Sequence, residues 1–263
     1  MSRTGADVGR NGALLEARGV DKNYGHVRAL QRADFDVFPG EVVALVGDNG
    51  AGKSTLIKIL SGTVQPDGGE IRFEGRPVAI DSPITARKLG LETVYQDLAL
   101  AEDLDPAANL FLGREVVQGG LLGKLGFLDK RTMRSRAAES FSSLGIGLQD
   151  ISAEVGMLSG GQRQTVAVSR AATWASRLIF MDEPTAALGV VQAEKVLELI
   201  RRIRESGKSV VLISHNLPQV FQVANRIQVL RLGKRVATFR PDDVTMDDVV
   251  GAMTGAVADQ EPS

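Results

Sequence analysis

The sequence predicts an α/β fold, a parallel sheet covered by helices on both faces. Three observations carry this reading. Short β-rich runs alternate with helical patterns along most of the 263 residues. The apolar run Val42-Val43-Ala44-Leu45-Val46 breaks into a glycine-rich turn that opens a helical pattern. A second apolar run, Leu178-Ile179-Phe180-Met181, stops on two adjacent carboxylates, Asp182 and Glu183. In a parallel sheet the carboxyl ends of the strands face one crevice, so both turns are expected along the same edge.

In chain order, strands are expected at 13–17, 33–38, 41–46, 70–73, 91–95, 177–181, 209–214, 226–232 and 234–239. The first few, with the last two, are expected to form an antiparallel side sheet. Helices are expected at 53–60, 159–174, 191–205 and 217–223. The stretch 101–156 breaks the alternation, being rich in helix formers and poor in β-branched runs, and reads as a helical insertion. The expected division is an α/β core at 13–96 and 160–254, a helical subdomain at 97–159, and flexible polar tails at 1–12 and 255–263.

Composition removes several function classes. The 31 basic residues nearly cancel the 32 acidic ones, so no general field exists to hold nucleic acid. The basic clusters at 130–136 and 201–204 have spacings that suit solvated helix faces. The absence of cysteine excludes disulfides, thiolate catalysis and zinc–thiolate sites. Residues 1–12 carry no apolar segment of the kind a secretory signal needs. No apolar run approaches the roughly 18 residues needed to cross a bilayer, so a membrane role is expected to run through a partner.

Gly47-Asp48-Asn49-Gly50-Ala51-Gly52-Lys53-Ser54-Thr55 fits the full G-x-x-x-x-G-K-S/T phosphate loop, in the strand–turn–helix context that motif requires. Backbone N–H groups and the positive end of the helix dipole converge there on one anion. Lys53 would neutralise β- and γ-phosphates, and the Ser54 hydroxyl would take one place on Mg²⁺. Asp182, at the end of its strand, would arrive beside the phosphates and hold Mg²⁺ through water. Glu183, one residue on, points elsewhere and would serve as general base for an attacking water. Leu158-Ser159-Gly160-Gly161-Gln162 precedes a long helical pattern. With Ser159 as N-cap and the N–H groups of Gly160, Gly161 and Gln162 free, it forms either a second anion-binding terminus or an ordinary capped helix start.

Leu158 to Gln162, in order between the phosphate loop and the Asp182-Glu183 strand, resembles the signature motif of ATP-binding-cassette (ABC) transporter subunits. The resemblance covers nearly the whole chain and implies a P-loop NTPase, RecA-like, with a parallel core, an antiparallel side sheet and an inserted helical subdomain. It implies that Tyr24 stacks on adenine, where a core tyrosine is the alternative. It also implies that Gln96 touches Mg²⁺ and the attacking water, and that His215 contacts the γ-phosphate. Most of the family carries an aspartate where Gly189 follows Ala186-Ala187-Leu188, which puts communication between two ATP sites in question. That stretch, with 97–101 and Asn109-Leu110-Phe111-Leu112-Gly113-Arg114-Glu115, looks most like the monosaccharide importers of the ribose and fructose type. The chain reads as one cassette, with no long regulatory domain after its last helix.

The resemblance implies an ATP- and Mg²⁺-dependent ATPase that works as a head-to-tail dimer of two cassettes. ATP would lie between the phosphate loop of one copy and Ser159-Gly160-Gly161 of the other. Its expected partners are transmembrane permease subunits, a second copy of the cassette and, indirectly, a solute-binding protein, at the cytoplasmic face of the inner membrane; no nucleic acid is expected. Leu110, Phe111 and Leu112 would either receive a short helix of the permease or pack in the core. A cassette serving amino acids, lipids or export is the alternative, ahead of a non-transport cassette ATPase.

Overall fold

The computed structural model describes residues 12–146, 151–186 and 188–256. Its centre is a six-stranded sheet in the order β10-β9-β3-β8-β7-β6. The strands are β3 (Val42–Val46), β6 (Leu91–Val94), β7 (Leu178–Asp182), β8 (Ser209–Ile213), β9 (Arg226–Arg231) and β10 (Lys234–Phe239). All neighbours are parallel except β9 and β10, which form an antiparallel hairpin at the edge. The central strands are continuous apolar runs because both faces are covered. On β7, Leu178 and Phe180 enter one buried cluster while Ile179 and Met181 enter another. On β8, Val211 and Ile213 join the first and Val210 and Leu212 the second, the period of two that a strand imposes.

The first cluster is closed by α1 (Lys53–Leu60), by α2 (Pro83–Lys88), which buries Ala86, and by a four-stranded antiparallel sheet, β2-β1-β4-β5. This sheet comprises β1 (Leu15–Tyr24), β2 (Val27–Val37), β4 (Gly68–Phe73) and the short β5 (Arg76–Pro77). The second cluster is closed by α6 (Gly160–Trp174) and α7 (Val190–Glu205). A third, under α8 (Leu217–Val223) and α9 (Met246–Thr254), buries Ala44, Val46, Ile227 and Val229.

The expectation that the last two strands join the side sheet is corrected. β9 pairs in parallel with β3, from Val43↔Arg226 to Val46↔Val229, and carries β10 with it. A hairpin in sequence leaves open which strand its free edge meets. Here burial decides, because Ile227 and Val229 are fully covered only beside β3. The hairpin still touches the side sheet: Gln31 N–H donates to the Gly233 carbonyl at 2.9 Å, and Arg235 pairs with Asp36. The first two strands are also longer than expected, meeting at Tyr24 and Val27 across a tight turn. Their polar residues alternate on an exposed face, which obscures their length in the sequence.

Between β6 and α6 the chain forms α3 (Pro106–Phe111), α4 (Gly120–Lys124) and α5 (Lys130–Ser143). They close over a small core of their own, built from Ala107, Leu110, Phe111, Met133, Ala137 and Phe141. Asp105 and Asp129 cap α3 and α5 by accepting from Ala108 N–H and Thr132 N–H. The expected tails at 1–12 and 255–263 lie, but for Gly12, Gly255 and Ala256, outside the described residues.

Candidate active site

The ends of β3, β7 and β8 fall at one edge of the main sheet, since Leu45 pairs with Ile213 and Ile213 with Asp182. β6 joins them with Val94 opposite Met181. The turns that follow carry Gly47 to Thr55, Gln96, Asp182 with Glu183, and His215, so four separated stretches of sequence share one rim.

The phosphate loop is shaped by what glycine lacks. A Cβ on Gly47 would run into the Leu230 carbonyl oxygen, and one on Gly52 would lie 2.5 Å from the Ala29 carbonyl oxygen. Gly52 is also the N-cap of α1, with φ 103° and no side-chain cap, so the first N–H groups of α1 stay open toward the loop. Lys53 folds back over it, Nζ donating to the Gly47 carbonyl at 2.6 Å and the Asp48 carbonyl at 2.9 Å. Burial lowers the Lys53 pKa, against the pull of Glu183, Asp182 and Asp48. Ser54 is exposed on the first turn of α1, Thr55 is half-buried beside it, and Asp48, Asn49 and Gly50 are exposed at the loop tip while Ala51 is buried beneath.

At the end of β7, burial raises the Asp182 pKa and the adjacent Glu183 charge raises it further, with Lys53 and Lys58 opposing. Glu183 sits in the left-handed region at φ 51°, a conformation that costs a non-glycine residue on the order of 1 kcal/mol. Its N–H donates to the Ile213 carbonyl at 3.0 Å, which ties this strained turn to β8. One carboxyl oxygen, Oε1, lies 2.9 Å from His215 Nδ1; the other, Oε2, is buried without a hydrogen-bond partner among the described residues. A carboxylate only accepts, so in this contact Nδ1 is the donor to Oε1. The structure thus brings Glu183 and His215 into direct contact from turns 32 residues apart. Beside them, Thr185 Oγ1 donates to Gln219 Oε1 at 2.5 Å and steadies the next turn.

The signature turn is an N-terminus closed on itself. Ser159 Oγ accepts from Gln162 N–H at 3.3 Å, and Gln162 Oε1 accepts from Ser159 N–H at 2.9 Å, a complete capping box. The expectation of a free Gln162 N–H is therefore corrected, because the cap uses it. Gly160 is exposed at the first turn, and nothing among the described residues lies within 4 Å of where its Cβ would be.

Gln96 is exposed just past β6 and lines a cleft with Gly160, Arg163, Gln164 and Leu188, so it lies between the rim and the signature helix. Tyr24, at the end of β1, is 46% exposed, which rules out the core reading. Leu110 and Phe111 pack in the small core of the insertion and only Leu112 is exposed, so the first two are core residues. Gly189 is the N-cap of α7 without a side-chain bond; Ala187 lies outside the described residues. Arg201 and Arg202 pair with Glu194 and Glu198 along α7. Sequence reasoning missed Arg170, whose guanidinium donates to the Leu98 and Ala99 carbonyls. Its signal was a charge four residues after Val166 and three after Ala167, on the apolar side of α6.

Residues 30–186, more than half of the chain, match the family described as ABC transporter. The chain belongs to the ABC transporter family. A fructose import ATP-binding protein of Rhizobium meliloti is 54% identical, over 92% of this chain and 94% of that one. A xylose/arabinose import ATP-binding protein of Sulfolobus acidocaldarius is 48% identical over the same shares. A ribose import ATP-binding protein of Burkholderia pseudomallei is 40% identical, and there the match spans 46% of the relative's length. Among solved structures, the ADP conformation of an ATP-binding cassette from an ABC transporter superposes with a TM-score of 0.77 at 25% identity, covering 92% of this chain and 99% of that one. As an ABC cassette with this P-loop NTPase core, the chain is an ATP-binding ATPase coupled to transport. No helix among its described residues is long and apolar enough to cross a membrane.

Proposed function

We propose that this chain is the ATP-hydrolysing subunit of a monosaccharide importer, and that it works as a head-to-tail dimer against transmembrane permease subunits. The observation that carries the cargo class is the near end-to-end match to the fructose and the xylose/arabinose import proteins. Catalysis rests on the rim. In-line attack needs a water held by a base on one side of the γ-phosphate and positive groups on the other. Glu183 supplies the base, oriented by His215 at 2.9 Å, and its unpaired Oε2 is an acceptor for the water proton. Lys53 exchanges its two loop carbonyls for phosphate oxygens, whose negative charge opposes the lowering of its pKa by burial. Tyr24 offers an exposed ring for adenine, Ser159 and Gly160 of the second copy cover the γ-phosphate, and Gln96 reaches the attacking water.

The residues fit a divalent cation. Asp182 is a carboxylate disfavoured as an anion by burial and by Glu183, which a neighbouring cation would relieve, and the Ser54 hydroxyl is free to bind on the exposed turn. No group of three or more His, Cys, Asp or Glu able to hold a metal occurs among the described residues, so Ser54, Asp182 and Gln96 would hold Mg²⁺ jointly with the nucleotide. When bound, it would neutralise charge developing on the phosphoryl oxygens.

Among the described residues nothing lies close enough to Gly160 to exclude a side chain, and close approach of a second copy's nucleotide would supply a reason for glycine. In this reading 97–159 moves as a unit on nucleotide binding, the permease attaches the chain to the cytoplasmic face of the inner membrane, and a solute-binding protein acts on it indirectly. The test is uptake of a panel of radiolabelled monosaccharides by cells whose only copy carries Glu183→Gln. That variant should bind ATP with kcat lowered about 10²–10⁴-fold. Loss of one sugar or a few related ones is the expected result; unchanged uptake across the panel, with the variant expressed, would sink the proposal.

A further inference from the structure

α6 begins at the signature turn, and further along it grips the segment that starts at Gln96. Arg170 and Trp174 stand four residues apart, hence on one face of the helix. Arg170 Nη1 donates to the Ala99 carbonyl at 2.7 Å and Nη2 to the Leu98 carbonyl at 3.0 Å. Trp174 Nε1 donates to the Leu110 carbonyl at 2.6 Å. The two side chains hold both ends of the segment that runs from the Gln96 loop through α3. Trp174 is itself held between Phe111, edge-on at 5.5 Å, and the Arg114 guanidinium, which sits 4.6 Å from its ring centre and pairs with Glu92 of β6.

The loop under Arg170 is not a relaxed turn. Leu98 and Ala99 lie in the left-handed region at φ 61° and 45°, and Leu98 N–H closes the turn on the Tyr95 carbonyl at 3.0 Å. Two successive left-handed side-chain-bearing residues persist only where their surroundings over-determine them. The guanidinium fork supplies that constraint, because its fixed planar geometry sets the direction of two adjacent carbonyls at once. Among the described residues, the guanidinium bonds these two carbonyls and no carboxylate. Burial lowers the Arg170 pKa, with Glu92 opposing, so the charge is spent on the loop at some cost.

We infer that Arg170 is a positioning residue: by holding the Leu98 and Ala99 carbonyls it fixes Gln96 relative to the N-terminus of α6, so that Gln96 and the Ser159-Gly160 turn travel as one piece. The inference rests on the role of Gln96 proposed above. Its consequence is that tilting α6, at either end, moves Gln96 toward or away from the Glu183–His215 pair without any change in the rim itself.

The experiment is a double-mutant cycle on the full chain, with ATPase kinetics and hydrogen exchange as separate readouts. Gln96→Ala and Arg170→Met should each lower kcat about tenfold with the ATP KM within about twofold, and the double variant should be no slower than Gln96→Ala alone. Amides at 97–101 should exchange at least about tenfold faster in Arg170→Met, with those of β7 and β8 unchanged. Multiplying effects in the double variant, or unchanged exchange at 97–101, would overturn the inference. An unaffected Gln96→Ala would instead overturn the proposed role of Gln96, and exchange would still judge the grip. Should Arg170→Met fail to fold, Arg170→Lys keeps the charge without the fork; intermediate losses in both readouts are expected, and full activity with unchanged exchange counts against the inference.

Discussion

Two glycine-rich helix N-termini bear on the same chemistry, and they are built in opposite ways. At α1 the glycines answer to the chain: Gly47 and Gly52 have backbone and side-chain atoms where a Cβ would be, and Gly52 is left-handed at φ 103°. No side chain caps that helix, so its N–H groups stay open. At α6 the cap is complete, with Ser159 and Gln162 bonding each other's backbone, while Gly160 has open space around it and no left-handed φ. The first terminus is finished by its own fold and left open to a ligand. The second is finished as a helix: Gly161 answers to its own chain, since a Cβ there would lie 2.7 Å from the Gln192 side chain, and only Gly160 has nothing among the described residues that asks for glycine. A motif's glycines therefore divide into those that protect a shape and those that keep a surface clear, and only the sterics of the folded chain tell them apart.

The largest test of this contrast is Gly52→Ala. It forces a Cβ against the Ala29 carbonyl in a left-handed conformation, and should cost about 2–4 kcal/mol in a thermal or denaturant melt and abolish ATPase activity. Gly160→Ala should do the reverse, leaving Tm within about 2 °C, since alanine favours helix and meets open space, while lowering kcat at least about tenfold. Equal destabilisation by the two substitutions would erase the distinction. Ser159→Ala breaks the capping box and should cost about 1 kcal/mol of stability; a change near zero would mean that the first turn of α6 is held from elsewhere.

The smallest expected effect lies at Asp182. Its folded pKa is raised, so the folded state holds its proton more tightly than the unfolded chain does. The stability from this group is full below the unfolded value, taken as 3.8, and is lost as pH rises through the folded pKa. Asp182→Asn should therefore melt slightly higher than the parent at pH 7, with the gap closing as pH falls through the folded pKa and gone below 3.8, although its ATPase activity is lost. A variant less stable at pH 7 would show that the Lys53 and Lys58 charges outweigh burial there.

The parallel core and the phosphate loop were legible because their signals are local. Continuous apolar runs gave the buried strands, and the glycine spacing with Lys53 and Ser54 gave the loop. The Glu183–His215 contact was foreseeable only as two separate roles, since no spacing in sequence states that β7 and β8 are neighbours. Arg170 was missed for a related reason: its charge on the apolar side of α6 was a signal, but its partners are carbonyls, which every residue carries. The place of β9 was misread because a hairpin specifies its inner pairing and leaves its outer edge to burial. The part played by Leu110 and Phe111 turned on the same quantity, since an apolar tripeptide reads alike whether it lies over a core or inside one.

β3, the strand that ends in the phosphate loop, occupies Val42–Val46, yet both of its neighbours, Ser209–Ile213 and Arg226–Arg231, come from the far half of the chain. During synthesis that loop exists as a motif long before anything holds it in place. Its pairing must wait for the hairpin at Gly233 to leave the ribosome, a long loop closure of the kind that slows folding. Until then both edges of β3 lack the strands they pair with, and the loop at its end lacks the Leu230 backbone it is packed against.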